Sequence, residues 1–513
     1  MPSVLVPPRL TSREVAAEIW NGAAIAFSGF GLCGVAQSLC EALAKRHAEC
    51  GDPKNLTAIH AAGHTENIGV DLLAKHGLLD RVIGGHWGLM PNLRRRVAAD
   101  ELEMHNWPQG VVIGAFRAAG SGENGLRSKI GLGTFIDPRQ LGGCVNPRSR
   151  RGGSLITLCE GEDECLHYAK LKPDFAFIRG WSADRRGNIS MRKEPLLLCA
   201  GDIALATRSH GGRVFCQVRE IEDRFFDANE VDIPGFLIDA LVVSEDPNKH
   251  HRHASTLVFE PALYSGAEPL PEEKAPLDLT RKWIGRRAAL SVRPGDLLNL
   301  GIGIPGDAVP AALAETGLLS EVISTLESGV VGGMGAGAQN FGVAYSPSSR
   351  ISETRMFDLY HGGNLNVAIM GMAETDASGN VNVSQFGGRS VGCGGFVDIT
   401  QSAQRVIFCS GFNGKGFAGA FADGRVLIQT EGLQQKFVEK VEQITFSADQ
   451  ARVRGQVVEL VTERCVFALG PKGWRLIEIA PGLDVERDVV GRMDFLPEIA
   501  QDLRTMDAAI FAD

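Results

Sequence analysis

The sequence predicts an α/β protein made of two similar open α/β domains. Short apolar runs alternate with helical segments, a pattern that indicates parallel sheets covered by helices. The same order of motifs occurs in both halves of the 513-residue chain, which is long enough for more than one domain. We expect an N-terminal domain at 1–265, a Pro-rich linker at 266–278 and a C-terminal domain at 279–513.

The first half begins with a helix that Thr11 caps, because Glu14 three residues later completes a capping box. The apolar run at 23–27 predicts a buried strand that enters a glycine-rich turn. Further strands are expected at 56–60 and 81–83, with helices between them. This order is typical of a parallel sheet.

The second half of the chain shows the same alternation of predicted helices and strands. A helix is expected at 280–290, followed by a strand at 297–300 and a second glycine-rich turn. Residues 77–79 and 317–319 both read Gly-Leu-Leu, and each precedes an apolar pair that predicts a strand. Segments 183–189 and 375–381 also match, and both predict a strand, a tight turn and a strand.

Composition argues against several classes of function. The net charge of −9 at pH 7, without dense Lys/Arg blocks, argues against general nucleic-acid binding. No run of about 18 apolar residues predicts a membrane span, and no signal peptide is recognisable. The 11 cysteines include no CxxC pair and no zinc-type cluster. We expect a cytoplasmic protein with free thiols, no metal, and neither membrane nor nucleic acid as a partner.

The most informative stretch is the end of the predicted strand at Val322 and Ile323. Glu327 follows it, and a glycine-rich run follows Glu327. Ligand sites in open α/β sheets lie at the carboxyl ends of strands, and glycines let a substrate approach the backbone closely. Glu327 is therefore a candidate nucleophile, although a glutamate at the end of a strand is usually a solvated loop residue.

Two other motifs offer competing functions. Both halves carry Gly-x-Gly-x-x-Gly between a strand and a helix, at 29–34 and 301–306, which is the fingerprint of NAD-binding domains. Pro305 inside the second copy weakens that interpretation. Residues 411–416 imitate a phosphate-binding loop, but the spacing is short and no Ser or Thr follows Lys415.

Two loops offer hydrogen-bond donors. Gln109 lies in a polar Pro-Gln-Gly turn, and its amide can donate to an oxyanion if it faces Glu327. The glycine-rich loop 392–396 offers main-chain N–H groups for the same purpose.

Several longer motifs resemble those of the family I coenzyme A transferases. The segments that carry the resemblance read RVIGGHWG at 81–88, GGRSVGCGGFVDI at 387–399, VEQITF at 441–446 and IAPGLD at 479–484. They are similar to the single-chain branch that includes acetate and propionate CoA-transferases. The turns at 29–34 and 299–305 also resemble those of 3-oxoacid CoA-transferases.

This resemblance implies two fused domains of the CoA-transferase (NagB-like) fold and specific residue roles. Glu327, in Glu-Ser-Gly, would attack an acyl-CoA, while Gln109 and a main-chain N–H of Gly394 or Gly395 would stabilise oxyanions. Lys415 and the Gly-x-Gly-x-Pro loop would contact CoA. That loop comprises Gly301, Ile302, Gly303, Ile304 and Pro305.

The implied activity is CoA transfer between a short-chain acyl-CoA and a carboxylate such as acetate, propionate or acetoacetate. It would be ping-pong through a glutamyl-CoA thioester on Glu327. CoA would be a substrate, with no permanently bound cofactor, and the enzyme a homo-oligomer, either a dimer or a tetramer. Three alternatives stay open: a thioesterase using the same glutamate, an NAD-dependent Rossmann enzyme and a non-catalytic ligand-sensing protein.

Overall fold

The computed structural model describes residues 6–159, 161, 164–267 and 277–512. Two compact units result. Unit 1 comprises Met1–Pro269, Leu326–Asp358 and Arg389–Asp398, and unit 2 comprises Leu270–Thr325, Leu359–Gly388 and Ile399–Asp513. The predicted domains, by contrast, are continuous in sequence and stay a prediction. Most of the predicted linker, at 268–276, lies outside the described residues.

Unit 1 is built on a seven-stranded parallel sheet, in agreement with the alternating pattern of its sequence. Across the sheet the strands follow the order Ala240–Val243, Arg213–Val218, Phe175–Arg179, Ala24–Phe27, Leu56–His60, Leu79–Gly84 and Glu103–Asn106. The three strands predicted in the first half are all present in it.

Helices connect these strands. The α-helices that lie wholly in unit 1 are Ser12–Glu18, Gln37–Cys50, Val70–Lys75, Pro91–Ala98, Gln109–Gly120, Pro147–Gly152, Ala200–Ser209 and Pro247–His250. Thr11 accepts a hydrogen bond from the Glu14 N–H and the Glu14 side chain accepts one from the Thr11 N–H, so the predicted capping box is confirmed. Val15, Leu39 and Val82 are buried in one core.

Smaller strands complete unit 1. They are Leu126–Ser128, Ile156–Leu158, Leu166–Tyr168, Ser182–Ala183, Ile189–Ser190, Glu220–Ile221, Val330–Val331, Met334–Gly335, Ala344–Tyr345, Ser349–Arg350 and Arg389–Ser390. A second core contains Leu198 from the first segment of unit 1, with Val330 and Tyr345 from its second segment. This core anchors the chain that follows Glu327.

Unit 2 is built on a mixed sheet. Its strands follow the order Ile323–Leu326, Leu297–Leu300, Val367–Gly371, Arg405–Cys409, Val457–Val461, Cys465–Leu469, Trp474–Ile479 and Glu498–Thr505. The first five strands are parallel, as predicted. The next two pairs are antiparallel because short loops, which cannot hold a crossover helix, join consecutive strands.

The remaining elements of unit 2 are short. Its α-helices are Leu279–Ala289, Ile304–Glu315 and Ala448–Val453, and Glu353–His361 and Phe396–Ser402 are assigned partly to each unit. Its other strands are Glu374–Thr375, Val381–Asn382, Gln385–Phe386, Ala418–Ala422 and Arg425–Thr430. Both predicted strand–turn–strand motifs are confirmed, because Ala183 pairs antiparallel with Ile189, and Thr375 with Val381.

Short helices other than α complete the description. The 3-10 turns are Ala228–Glu230, Gly235–Leu237, Pro261–Leu263, Leu318–Glu321, Ala338–Asn340, Val490–Arg492 and Ala508–Ile510, and a π-helical turn covers Val485–Val489. Within the described ranges, every helix is too short or too polar to cross a membrane.

Free thiols were expected throughout, and this expectation is wrong for one pair. Cys159 and Cys165 form a disulfide, whereas nine other cysteines are free. The strands Ile156–Leu158 and Leu166–Tyr168 pair antiparallel, with Leu158 opposite Leu166. The two cysteines that follow and precede these strands are therefore held opposite each other.

Candidate active site

Glu327 follows the strand Ile323–Leu326 directly, as predicted. The Gly329 N–H closes a turn on the Leu326 carbonyl at 3.0 Å, and the Ser328 hydroxyl donates to the Gly342 carbonyl at 2.6 Å. Gly329 has φ +100°, and a Cβ there would lie 2.1 Å from the Ile351 carbonyl oxygen. Glu327 is only 8% exposed. The carboxylate is thus held in a tight, buried turn and is not a solvated loop residue.

Gln109 lies in unit 1 with Glu327. It is the first residue of the helix Gln109–Gly120, and its N–H donates to the Gly394 carbonyl at 2.9 Å. Its side-chain Nε2 donates to Glu353 Oε1 at 2.6 Å. This hydrogen bond uses one of the two N–H groups of the amide.

Asn106 ties together the loops that surround Gln109. Its Nδ2 donates to the carbonyl oxygens of Gly84 and Gly85 at 2.8 Å each. Its Oδ1 accepts a hydrogen bond from the Cys393 N–H at 3.0 Å. Because this side chain is fully buried, the network fixes the glycine-rich loop against the carboxyl ends of two strands.

The two candidate glycine donors differ in their hydrogen bonding. The Gly394 N–H donates to the Gly85 carbonyl at 2.8 Å. Gly395 is buried, and among the described residues its N–H donates to no main-chain carbonyl of a turn or loop. Buried main-chain N–H groups without partners are rare in folded proteins. Gly395 is therefore the better placed of the two to bind a substrate oxygen.

Glu353 is a component of this site that the sequence motifs did not reveal. It is 1% exposed and begins the helix Glu353–His361. Burial raises the pKa of Glu353 to about 8; the hydrogen bond from Gln109 opposes this rise, and the negative charge of Glu327 adds to it. A glutamate in the first turn of a helix is ordinarily explained by the helix dipole, so its sequence context carried no signal of a site.

The predicted CoA-contacting loop lies in unit 2. The Gly301 N–H donates to the Ile369 carbonyl at 2.9 Å, and Gly303, at φ +85°, precedes the helix Ile304–Glu315. Ile302 is 54% exposed. Gly301, Ile302 and Gly303 therefore form a partly exposed turn between a strand and a helix, whereas Ile304 and Pro305 are the first two residues of that helix and Pro305 is buried.

Lys415 is a separate, exposed position in unit 2, at φ +59°. Its carbonyl accepts the Leu433 N–H at 2.9 Å. Among the described residues, no hydrogen bond joins Lys415 to the turn at 301–305. The roles of the turn and of Lys415 stay predictions.

The first Gly-x-Gly-x-x-Gly motif is packed against the protein itself. A Cβ on Gly29 would lie 2.4 Å from Val35 Cγ2, and a Cβ on Gly34 would lie 2.3 Å from Leu198 Cδ1. The missing side chains at Gly29 and Gly34 leave room for Val35 and Leu198. Packing within the protein therefore explains these glycines without a bound dinucleotide. No metal-binding group of three or more His, Cys, Asp or Glu side chains occurs in the part of the chain that the structure describes.

Comparison with known proteins places the chain in a family. A model for coenzyme A transferase matches residues 10–244. Caffeate CoA-transferase of Acetobacterium woodii is 38% identical over 518 residues, which cover 98% of this chain and 97% of that protein. Acetate CoA-transferase YdiF of Escherichia coli O157:H7 is 36% identical over 484 residues, which cover 93% of this chain and 90% of that protein.

A solved structure of a CoA transferase also resembles the fold of this chain. The acyl-CoA transferase YdiF of Escherichia coli O157:H7, in a thioester complex with CoA, matches with a TM-score of 0.90 and 34% identity, over 99% of this chain and 96% of that one. The chain therefore belongs to the coenzyme A transferases. It is a CoA-transferase with a two-domain α/β fold, and CoA is a substrate of this family, as predicted.

Proposed function

We propose that this enzyme transfers CoA between a short-chain acyl-CoA and a free carboxylate through a covalent glutamyl-CoA thioester on Glu327. One observation carries the proposal: a buried carboxylate lies in a tight turn, and its charge acts on Glu353, the partner of Gln109. The thioester complex described for the related YdiF supports a covalent route.

In the first half-reaction, a Glu327 carboxylate oxygen attacks the thioester carbonyl carbon. The C–S bond breaks, CoA thiolate leaves, and a mixed anhydride of Glu327 and the acyl group forms. The thiolate then attacks the glutamyl carbonyl carbon, which gives the glutamyl-CoA thioester and releases the donor acid. An ionised carboxylate needs no base for this attack, so no histidine is required.

The second half-reaction reverses these steps with another acid. Its carboxylate attacks the glutamyl-CoA carbonyl, CoA thiolate leaves, and a new mixed anhydride forms. The thiolate attacks the acyl carbonyl, which gives the new acyl-CoA and regenerates the Glu327 carboxylate. Because the first acid leaves before the second reacts, ping-pong kinetics follow.

Each attack produces a tetrahedral oxyanion that needs hydrogen-bond donors. We assign this role to the second N–H of the Gln109 amide and to the Gly395 N–H. Gly394 orients both, because its carbonyl accepts the Gln109 N–H and its own N–H is bound to Gly85. Loss of one such donor typically slows an enzyme by a factor of about 100 or more.

The acyl group is proposed to be small, such as acetyl, propionyl or acetoacetyl. The acetate CoA-transferase among the relatives supports a small acyl group. The caffeate CoA-transferase suggests an aromatic acyl group as the alternative substrate. Lys415 and the turn at 301–305 are proposed to bind CoA. A homo-oligomer in the cytoplasm is proposed on the sequence arguments alone, and the Cys159–Cys165 disulfide adds no support to that location.

The test is an exchange assay with purified enzyme. Acetyl-CoA is mixed with propionate, acetoacetate or caffeate, and thioesters are separated by chromatography. We expect propionyl-CoA or acetoacetyl-CoA from the wild type, and neither from Glu327→Gln. Free CoA as the sole product would establish the thioesterase alternative, and preferential formation of caffeoyl-CoA would contradict the proposed substrate class.

A further inference from the structure

Glu353 is the hydrogen-bond partner of the proposed oxyanion donor Gln109. Its Oε1 accepts the Gln109 Nε2–H at 2.6 Å, and its main-chain N–H donates to the Leu198 carbonyl at 3.1 Å. The side chain is 1% exposed. No Lys, Arg or His among the described residues lies within salt-bridge distance of it. A buried carboxyl group without a cation is costly to ionise.

The titratable groups that face Glu353 come from two neighbouring elements. Glu327 acts on it from the turn after the strand Ile323–Leu326. Cys199 forms a side-chain hydrogen bond with it, and Asp202 in the helix Ala200–Ser209 acts on it electrostatically. The Cys199 thiol is buried, and burial raises its pKa well above the usual value. The carboxyl groups all oppose a negative charge on Glu353.

We propose that Glu353 is a positioning residue of the transfer reaction: as a neutral carboxylic acid it fixes the Gln109 amide so that its free N–H points at the oxyanion formed at Glu327. This rests on the proposed function. The carbonyl oxygen of the neutral acid accepts the Gln109 hydrogen bond. No second negative charge is placed beside the oxyanion.

A neutral partner matters because the reaction builds negative charge nearby. If Glu353 ionises, it still accepts the hydrogen bond from Gln109, but its charge repels the tetrahedral oxyanion and the nucleophile Glu327. Since the pKa of Glu353 is raised to about 8, the acid is neutral below that pH and ionises above it. The turnover rate is therefore expected to fall as the pH rises through about 8.

The experiment measures kcat and KM for acyl-CoA between pH 6 and about pH 9.5, a range that spans this ionisation, in the wild type, Glu353→Ala and Glu353→Gln. Alanine removes the acceptor, and glutamine keeps a neutral carbonyl. Glu260→Gln is the matched control, because Glu260 is a buried glutamate of the same unit that accepts from the Ala262 N–H. Thermal unfolding checks that each variant is folded.

At pH 7 we expect kcat of Glu353→Ala to fall by a factor of about 10 to 100, because misplacing an oxyanion donor carries such a cost, while KM changes little. Glu353→Gln should recover most of this loss and lack the decline above pH 8, which the wild type and Glu260→Gln keep. A Glu353→Gln profile that retains the decline, or wild-type kcat in Glu353→Ala, would overturn the inference. If the wild type itself transfers no CoA, the proposed function fails instead.

Discussion

Glu327 and Glu353 are the same kind of side chain in two different environments. Both are buried; Glu353 accepts a hydrogen bond from Gln109, and the negative charge of Glu327 raises its pKa further. Paired carboxyl groups whose surroundings separate their protonation states are typical of enzyme sites. In the proposed reaction, Glu327 attacks as a carboxylate, and Glu353 positions a donor as a neutral acid.

Gln109 donates a hydrogen bond to Glu353 and is the proposed oxyanion donor of the reaction at Glu327. We expect Gln109→Ala to lower kcat by a factor of about 100, because one oxyanion donor is lost, with a smaller effect on KM for acyl-CoA. Steady-state kinetics of CoA exchange measure this. Gln140→Ala is the control, since Gln140 is exposed and its amide donates to the Gly133 carbonyl. A KM increase at unchanged kcat would show that Gln109 binds substrate instead.

At the scale of elements, the helix Gln109–Gly120 determines where the Gln109 amide lies. Its second residue, Gly110, donates its N–H to Asp398 Oδ2 at 3.1 Å. A Cβ on Gly110 would lie 2.4 Å from Phe357 Cδ1 and 2.7 Å from Asp398 Oδ1. The start of this helix is therefore packed without room for a side chain.

Gly110→Ala tests this packing. We expect a loss of about 1–3 kcal/mol in the free energy of unfolding, because overpacking displaces neighbouring groups, and a lower kcat because Gln109 moves. Gly201→Ala is the matched control: Gly201 is also the second residue of a helix in unit 1, and a Cβ there meets nothing within 4 Å. Urea unfolding and exchange kinetics provide the comparison. Equal effects of both substitutions would contradict the packing argument.

Much of this element-level organisation follows from the sequence, and part of it does not. The strands Ala24–Phe27, Leu56–His60 and Leu297–Leu300 are apolar runs next to turn residues, so local pattern predicts them. Glu327 was found because a strand end and a glycine run mark it. Glu353 was not, because its importance depends on its contact with the distant Gln109.

The disulfide and the antiparallel strands of unit 2 are likewise features that the local sequence pattern did not predict. Cys159 and Cys165 meet because two short strands pair, and no cysteine spacing rule for metals or redox motifs describes them. The sequence pattern did not predict that the strands Cys465–Leu469 and Trp474–Ile479 run antiparallel to their neighbours, because strand direction depends on connections and not on composition.

At the scale of the whole molecule, unit 1 is assembled from distant parts of the chain. Val330 and Tyr345 share a core with Leu198, although they follow the strands Leu297–Leu300 and Ile323–Leu326 of unit 2 in sequence. The candidate site residues Gln109, Glu327, Glu353 and Gly395 come from all three segments of this unit.

A truncated chain tests this organisation. A fragment of residues 1–269 lacks Val330, Val343 and Tyr345, so one core of unit 1 is left open to water. We expect this fragment to bind a hydrophobic dye and to unfold at lower urea concentration than the full chain, with a less cooperative transition. A fragment that unfolds cooperatively with the stability of the complete protein would instead favour a domain that is continuous in sequence, such as 1–265.

The central claim is that Glu327 carries CoA during turnover. The most direct measurement is peptide mass spectrometry of the wild-type enzyme after incubation with acyl-CoA and then borohydride, which reduces a thioester to an alcohol. We predict that Glu327 is converted to the corresponding alcohol, and only when acyl-CoA is present. Fully active enzyme whose Glu327 peptide stays unmodified under these conditions would contradict the account.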